Sequence, residues 1–381
     1  MFTLMTRKDA ASRLFCYQWV EPLRRGGVLA DIYPPSSVRL YEIFCERRGR
    51  EPLVLLAKAI YWYLLVPPTR LWQIARAFGS DAVFVQRGMW RYDSPPFFEK
   101  LAAVFLRRLG GAKIIYEFDD ALYVYVPAHR YHTRFELADL VITGNEELAS
   151  YAEHWNRSVA LVEASLDLDY YELDTVPHAT PTVIGWVGTH PDELQPLRPV
   201  FEELARRARF VLQVIGPPGG ELAWNGIDVV YIPWTLEDEI ANLRRFDIGI
   251  MPLRDTEYNR GREGFKLKQY MAMGLPVVAS AVGKNTSIVE DGVNGFLVST
   301  HAEWLDRLQQ LLQDPSMRGQ LGRQGRRLCE ERYDLRQAVP TFIQRLEILT
   351  GADSMPVTGA RPGSPGRPAA EGTDSPPRRL P

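Results

Sequence analysis

The sequence predicts an α/β fold built from two doubly wound units, and three observations lead there. The chain has 381 residues, roughly two domains by length. Short β-branched runs alternate with amphipathic helical stretches, and parallel β-α-β units produce this pattern because parallel neighbours need a crossover connection. The alternation is interrupted by an acidic, proline-containing stretch at 166–181 and then resumes. At 46% hydrophobic and 24% charged, the composition is that of a soluble globular chain.

In the first series, strands are expected at 2–6, 28–33, 82–86, 112–118 and 140–143. Helices fall near 10–24, 53–66, 69–78, 97–109 and 146–154, with Pro67 and Pro68 separating the second from the third. The second series has strands at 183–187, 210–215, 229–232, 248–251, 276–280 and 296–298, and helices near 193–207, 236–244, 265–273 and 301–313. The expected organisation is two Rossmann-like domains facing each other across a cleft, at 1–165 and 182–330, joined by the linker 166–181. Ligands in such sheets bind beyond the carboxyl ends of the strands. A C-terminal helix at 331–350 can return to the first domain. The tail 351–381 holds 7 Pro and 5 Gly with few aliphatics, and it is expected to be disordered and dispensable.

Charge narrows the function. Formal net charge is −2, which disfavours a nucleic-acid binder with a basic surface. Residues 1–110 nevertheless carry 17 Lys/Arg against 9 Asp/Glu, a balance of +8. A cationic first half suits an anionic acceptor or peripheral contact with an acidic membrane, although a merely basic solvated surface is an equal reading. The most hydrophobic window, 53–68, contains Lys58, ends in two prolines and is shorter than a spanning helix needs. A buried helix is the preferred reading there, with an interfacial anchor second. Cys16, Cys45 and Cys329 are scattered without a CxxC pair, and no secretory signal opens the sequence. Both features point to the cytoplasm.

The stretch 260–297, RGREGFKLKQYMAMGLPVVASAVGKNTSIVEDGVNGFL, carries the chemistry. A loop with Gly261 and Gly264 follows the strand DIGIMPL and opens a helix near Phe265. Backbone N–H groups at a helix start, with Arg260, Arg262 and Lys266 around them, suit a diphosphate. Read alone, the KLK of Lys266–Lys268 would be a solvated helix face. Gly188 and Thr189, in the loop after the strand 183–187, form a second phosphate element, with an exposed His190 beside them. The strand IIYEFDD ends in Asp119 and Asp120. Either can orient an acceptor hydroxyl or accept its proton, while Asp120 serves equally well as a helix cap. No histidine cluster accompanies the pair, so no metal site is expected.

The run Gly264-Phe265-Lys266-Leu267, then Gln269-Tyr270-Met271-Ala272-Met273-Gly274-Leu275-Pro276, and the later Glu290-Asp291-Gly292-Val293-Asn294-Gly295 resemble one family. They are similar to retaining, nucleotide-sugar-dependent glycosyltransferases of the family 4, or group 1, type, which have the two-domain GT-B fold. Looser similarity covers most of 1–348. The resemblance implies a nucleotide-diphosphate sugar as donor substrate, a hydroxyl acceptor (a saccharide or lipid-linked glycan), and no cofactor or metal. It also implies catalysis by electrostatic stabilisation of the leaving diphosphate, which helps to deprotonate the acceptor.

Two positions depart from the family. Its paired glutamates correspond here to Gly261 and Gln269, the second belonging to a Gln-Tyr-Met-Ala variant branch. Gln269 can still accept from ribose hydroxyls, though without charge assistance. Glu263 is the candidate substitute for the sugar-hydroxyl contact. The resemblance sets Arg13 in the cleft, as a candidate for the donor phosphate or an anionic acceptor, and Trp234 near the base. Two alternatives to transfer remain: a catalytically silent sugar-nucleotide-binding partner, because both glutamates are missing, and a sugar-nucleotide 2-epimerase.

Overall fold

The structure is a computed structural model that describes residues 1–46, 51–91, 93–173, 180–220 and 222–351. Linker residues 174–179 and the tail from 352 therefore lie outside the described residues. The strands form two all-parallel sheets. The first runs β1 (Ala82–Gln86), β2 (Lys113–Phe118), β3 (Leu140–Thr143) and β4 (Val159–Leu161) in sequential order. β1, β2 and β3 are mostly apolar and almost wholly buried, as a sheet covered on both faces requires, whereas edge strand β4 exposes Leu161.

The second sheet contains β5 (Thr182–Val187), β6 (Phe210–Gly216), β7 (Val229–Pro233), β8 (Ile248–Met251), β9 (Val277–Ser280) and β10 (Gly295–Val298). Its spatial order is β10-β9-β8-β5-β6-β7. β5 pairs with β6 on one side and β8 on the other, so the strand order reverses there. Loops leaving β5 and β8 at such a switch point diverge and leave a crevice between them. One of those loops holds Gly188 and Thr189, and the other holds Arg260 to Gly264.

One apolar cluster joins the N-terminal helix to the second sheet's layers. Ala11, Leu14 and Phe15 of the helix Ala10–Phe15 pack with Val187, Ile215, Phe246 and Tyr270 of the second sheet's layers. The last helix, Leu335–Thr350, buries Leu335, Val339 and Phe342 against Trp19, Phe84, Ile115 and Ile142, on the first sheet's side.

Several elements differ from expectation. At 2–6 and 28–33 only single bridges form, from Phe2 to Tyr33 and to Val85. Pro34 and Pro35 follow Tyr33 and offer no donor to extend the ladder. The helix expected at 10–24 is divided by a 3₁₀ turn at Tyr17–Trp19. The three-residue β4 and the helix His129–Leu137 had no clear periodic signal.

Pro67 and Pro68 do not separate two helices. A π-turn at Tyr61–Leu65 precedes them, and they sit in the first turn of the segment Val66–Arg76, where a missing N–H is tolerated. One helical rod thus runs from Pro52 to Arg76. The buried reading of 53–68 is also corrected: Leu53, Leu56, Tyr63 and Leu64 are exposed, and only one face packs on the domain.

Candidate functional site

The helix Phe265–Ala272 starts where Gly264 adopts a left-handed conformation, φ +65°, and turns the chain out of the β8 loop. One residue into it, Lys266 projects across to the β5 loop. Its Nζ lies 4.3 Å from the Trp186 ring centre, and a Cβ added at Gly188 would come within 2.7 Å of it. The glycine therefore makes room for the ammonium. Lys266 Nζ donates to Glu193 Oε2 at 2.9 Å, and Arg262 Nη1 donates to Glu193 Oε1 at 2.8 Å. One cation from the β8 loop and one from the helix it opens thus converge on one carboxylate carried by the 3₁₀ turn Pro191–Leu197.

Burial lowers the Lys266 pKa to about 8, with Glu193 opposing that effect. Burial alone would raise Glu193, but Lys266 and Arg262 outweigh it and hold the carboxylate below its ordinary range. A single carboxylate held by an Arg–Lys pair occupies a geometry that also suits a phosphate oxygen pair. Glu193→Gln should remove this competitor and tighten diphosphate binding by about tenfold, or 1.4 kcal/mol. Calorimetric titration with a nucleoside diphosphate checks it, and unchanged or weaker binding would show that Glu193 does not compete.

Facing this pair from the first sheet is a second charged group. Arg87, directly after β1, pairs with Asp119 through Nε–Oδ1 at 2.5 Å and Nη2–Oδ2 at 2.6 Å. Its Nη2 also reaches Asp120 Oδ2 at 2.5 Å. Arg87 has φ +58°, rare for a residue with a side chain, and Tyr116 Oη donates to its carbonyl at 2.7 Å. Asp120 therefore serves Arg87, and its side chain caps no helix. Burial pushes Asp120 up to about 6, against the pull of Arg87, and Arg262 acts on it from across the cleft. Below them Glu117 is buried with neither carboxylate oxygen hydrogen-bonded, and burial together with Asp119 raises its pKa well above the usual range.

Other expected residues are placed differently. Arg260 pairs with exposed Asp255 at 2.6 Å, away from the Lys266–Arg262 pair, because its backbone abuts Gly283. Glu263 turns inward and packs on Gly144, accepting from Ala164 N–H at 3.3 Å with Lys268 Nζ at 3.5 Å. Burial pushes its pKa up to about 7. It thus joins the two domains and does not line the open loop. Lys268 is fully buried and donates to the Ala164 carbonyl, so the KLK run is no solvated face.

Gln269 is buried and its Nε2 donates to Tyr171 Oη at 3.0 Å. Phe265 is half-buried against the shared apolar cluster. Thr189 is exposed and bonded to His190 Nδ1 at 2.9 Å. Arg13 contacts both carboxylate oxygens of Glu239 at 3.2 Å and lies 5.2 Å from the Trp234 ring centre, so it links the domains. Among the described residues no group of three or more His, Cys, Asp or Glu gathers as a metal site.

Sequence reading missed Arg87, Glu193 and Glu239. Gly88 after β1 was the one local hint for Arg87. Acidic residues in helical first turns, as Glu193 and Glu239 are, read as ordinary caps.

Residues 181–314 match the family described as Glycosyl transferases group 1. This stretch is a group 1 glycosyltransferase domain. It carries the switch-point crevice, Glu193, Arg262 and Lys266. A D-inositol 3-phosphate glycosyltransferase from Nocardioides is 31% identical over 156 residues, 34% of this chain and 33% of that protein. Another from Corynebacterium aurimucosum is 43% identical over 88 residues, covering 23% and 20%. The aligned part thus spans a third or less of these relatives' length.

Across the described residues the fold is GT-B, as in solved glycosyltransferases. Anabaena HepE, crystallised with UDP-glucose, has a TM-score of 0.62 at 14% identity, covering 92% of this chain and 98% of its own. A glycosyltransferase from Rickettsia africae has a TM-score of 0.63 at 11% identity, covering 91% and 97%. In this frame the group 1 domain presents its cation pair to the Arg87–Asp119–Asp120 cluster of the first domain.

Proposed function

We propose that the protein transfers a sugar from a nucleotide-diphosphate sugar to a hydroxyl acceptor, with retention of anomeric configuration. The observation that carries this reading is the convergence of Lys266 and Arg262 on one carboxylate at the switch point of a group 1 domain. On donor binding the diphosphate takes the place of Glu193. The bond between the anomeric carbon and the diphosphate oxygen breaks, and its electrons stay on the diphosphate. Lys266, Arg262 and the N–H groups opening the helix stabilise that charge. The acceptor oxygen bonds to the same carbon and its proton passes to the leaving diphosphate, while Asp119 and Asp120 orient the hydroxyl.

The donor in the HepE crystal supports testing UDP-glucose first. Charge compensation by side chains makes a metal unnecessary in this mechanism, so activity should survive EDTA. Free cysteines at 16, 45 and 329 support a cytoplasmic site of action.

The experiment is a thermal-shift screen of nucleotide sugars, since a ligand bound to the native state stabilises it by mass action. Nucleoside diphosphate release is then measured with and without saccharide acceptors. Release that rises with acceptor and yields a glycosylated product supports transfer. Binding without turnover means a silent partner protein, and an epimerised nucleotide sugar means an epimerase.

A further inference from the structure

The helical rod Pro52–Arg76 exposes one apolar face while burying Val54, Tyr61, Val66 and Ile74 on the other. A surface helix normally turns its apolar stripe to the core and its polar residues to water. Here Arg70 and Gln73 point inward. Arg70 donates to the carbonyls of Tyr33 at 2.7 Å and of Met89 and Thr3 at 2.5 Å each, and Gln73 donates to the Pro34 carbonyl at 2.8 Å. The outward face carries Leu53, Leu56, Tyr63, Leu64, Leu71 and Trp72, recurring about every two helical turns. Their exposures run from 48% at Leu71 to 78% at Leu53. An apolar stripe of this length facing solvent marks an interaction surface, because monomers rarely leave one uncovered.

Three features identify the occupant. No Asp or Glu occurs between Glu51 and Asp81, whereas Lys58 and Arg76 lie outside the buried face. The exposed stripe includes Tyr63 and Trp72, amphipathic aromatics that favour the headgroup level of a bilayer. Beside Tyr63 a concavity is lined by Trp90, Arg130 and the Arg91–Asp93 ion pair, so the net positive charge of this face comes from Lys58, Arg76 and Arg130. A second copy of the chain would set these cations against their own kind. The rod is 25 residues long, but its inner face is fastened to the domain, so it lies along a bilayer and does not cross it.

We propose that the Pro52–Arg76 helix docks the first domain flat on an anionic membrane, its leucine–aromatic stripe inserted at the acyl–headgroup boundary. The attachment replaces a purely electrostatic one: cations draw the domain in and the leucines hold it. It does not depend on sugar transfer, because vesicle binding is read without donor or acceptor.

Flotation of the full chain with phosphatidylcholine vesicles containing about 30% phosphatidylglycerol tests it. Wild type is expected to float with these vesicles and to keep much of its binding at about 0.5 M salt, where exposed charges are screened within a few ångströms. The double variant Leu56→Glu/Leu64→Glu should lose binding by tenfold or more with an unchanged circular dichroism spectrum. If it misfolds, Leu53→Ser/Leu71→Ser should give the same loss. Failure of wild type to float at low salt overturns the proposal, as does wild-type flotation by the variants. A concentration-dependent dimer that the variants disperse, without vesicle binding, would instead assign the face to a second copy.

Discussion

Replacing Lys266 by alanine should lower turnover by about two orders of magnitude, the scale of a lost preorganised charge contact. Folding should be nearly unaffected, because Glu193 keeps its contact with Arg262. Arginine should not rescue the variant, since the ammonium sits against Trp186 and in the space left by the missing side chain of Gly188. Burial holds the Lys266 pKa near 8, so the free protein loses this charge as pH rises through 8. Affinity for a nucleoside diphosphate should therefore fall above pH 8 by up to about tenfold per unit, while Lys266→Ala should lack that step. Titrations at pH 7 and 9 decide it, together with steady-state rates. Wild-type turnover in Lys266→Ala would remove the residue from the mechanism.

Arg87→Met is expected to have the largest effect on stability. The guanidinium holds two carboxylates at once, above a third that has no partner. Removing one member of a buried ionic group costs about 3–5 kcal/mol. The sign of the pH dependence follows from Asp120, whose folded pKa of about 6 lies above its ordinary value of 3.8. Across that interval the folded state binds more protons than the unfolded one, so this group favours folding more strongly as pH falls. Without Arg87 the carboxylates resist ionisation further. The deficit against wild type should therefore be larger at pH 8 than at pH 5. Urea denaturation at the two values measures it, and an equal deficit at both would show that the carboxylates are not what Arg87 neutralises.

The legible part of the molecule was local. Apolar runs such as 183–187 and 248–251 marked the strands, and Gly188 and Gly264 marked the loops where the chain must turn or let a side chain approach. Charge partners were not legible, because the fold brings them from far apart. Glu193 lies 73 residues before Lys266, and Glu239 lies 226 residues after Arg13. Gln269 and Glu263 looked available for a sugar, yet each is taken up by a first-domain or linker contact, with Tyr171 and Ala164. For residues 52–76, hydrophobicity marked two helices and favoured burial for the first, but it carries no information on which face packs. Only the inward hydrogen bonds of Arg70 and Gln73 show that the leucines face out.

The central claim is that Lys266 and Arg262 form a diphosphate site. Its most direct test is calorimetric titration of wild type and Lys266→Ala with nucleoside diphosphates and the matching monophosphates at pH 7. The diphosphate should bind wild type about tenfold tighter or more than the monophosphate, a difference of 1.4 kcal/mol, and the gap should collapse in the variant. Equal binding of the two nucleotides by wild type, or an undiminished gap in Lys266→Ala, would contradict it.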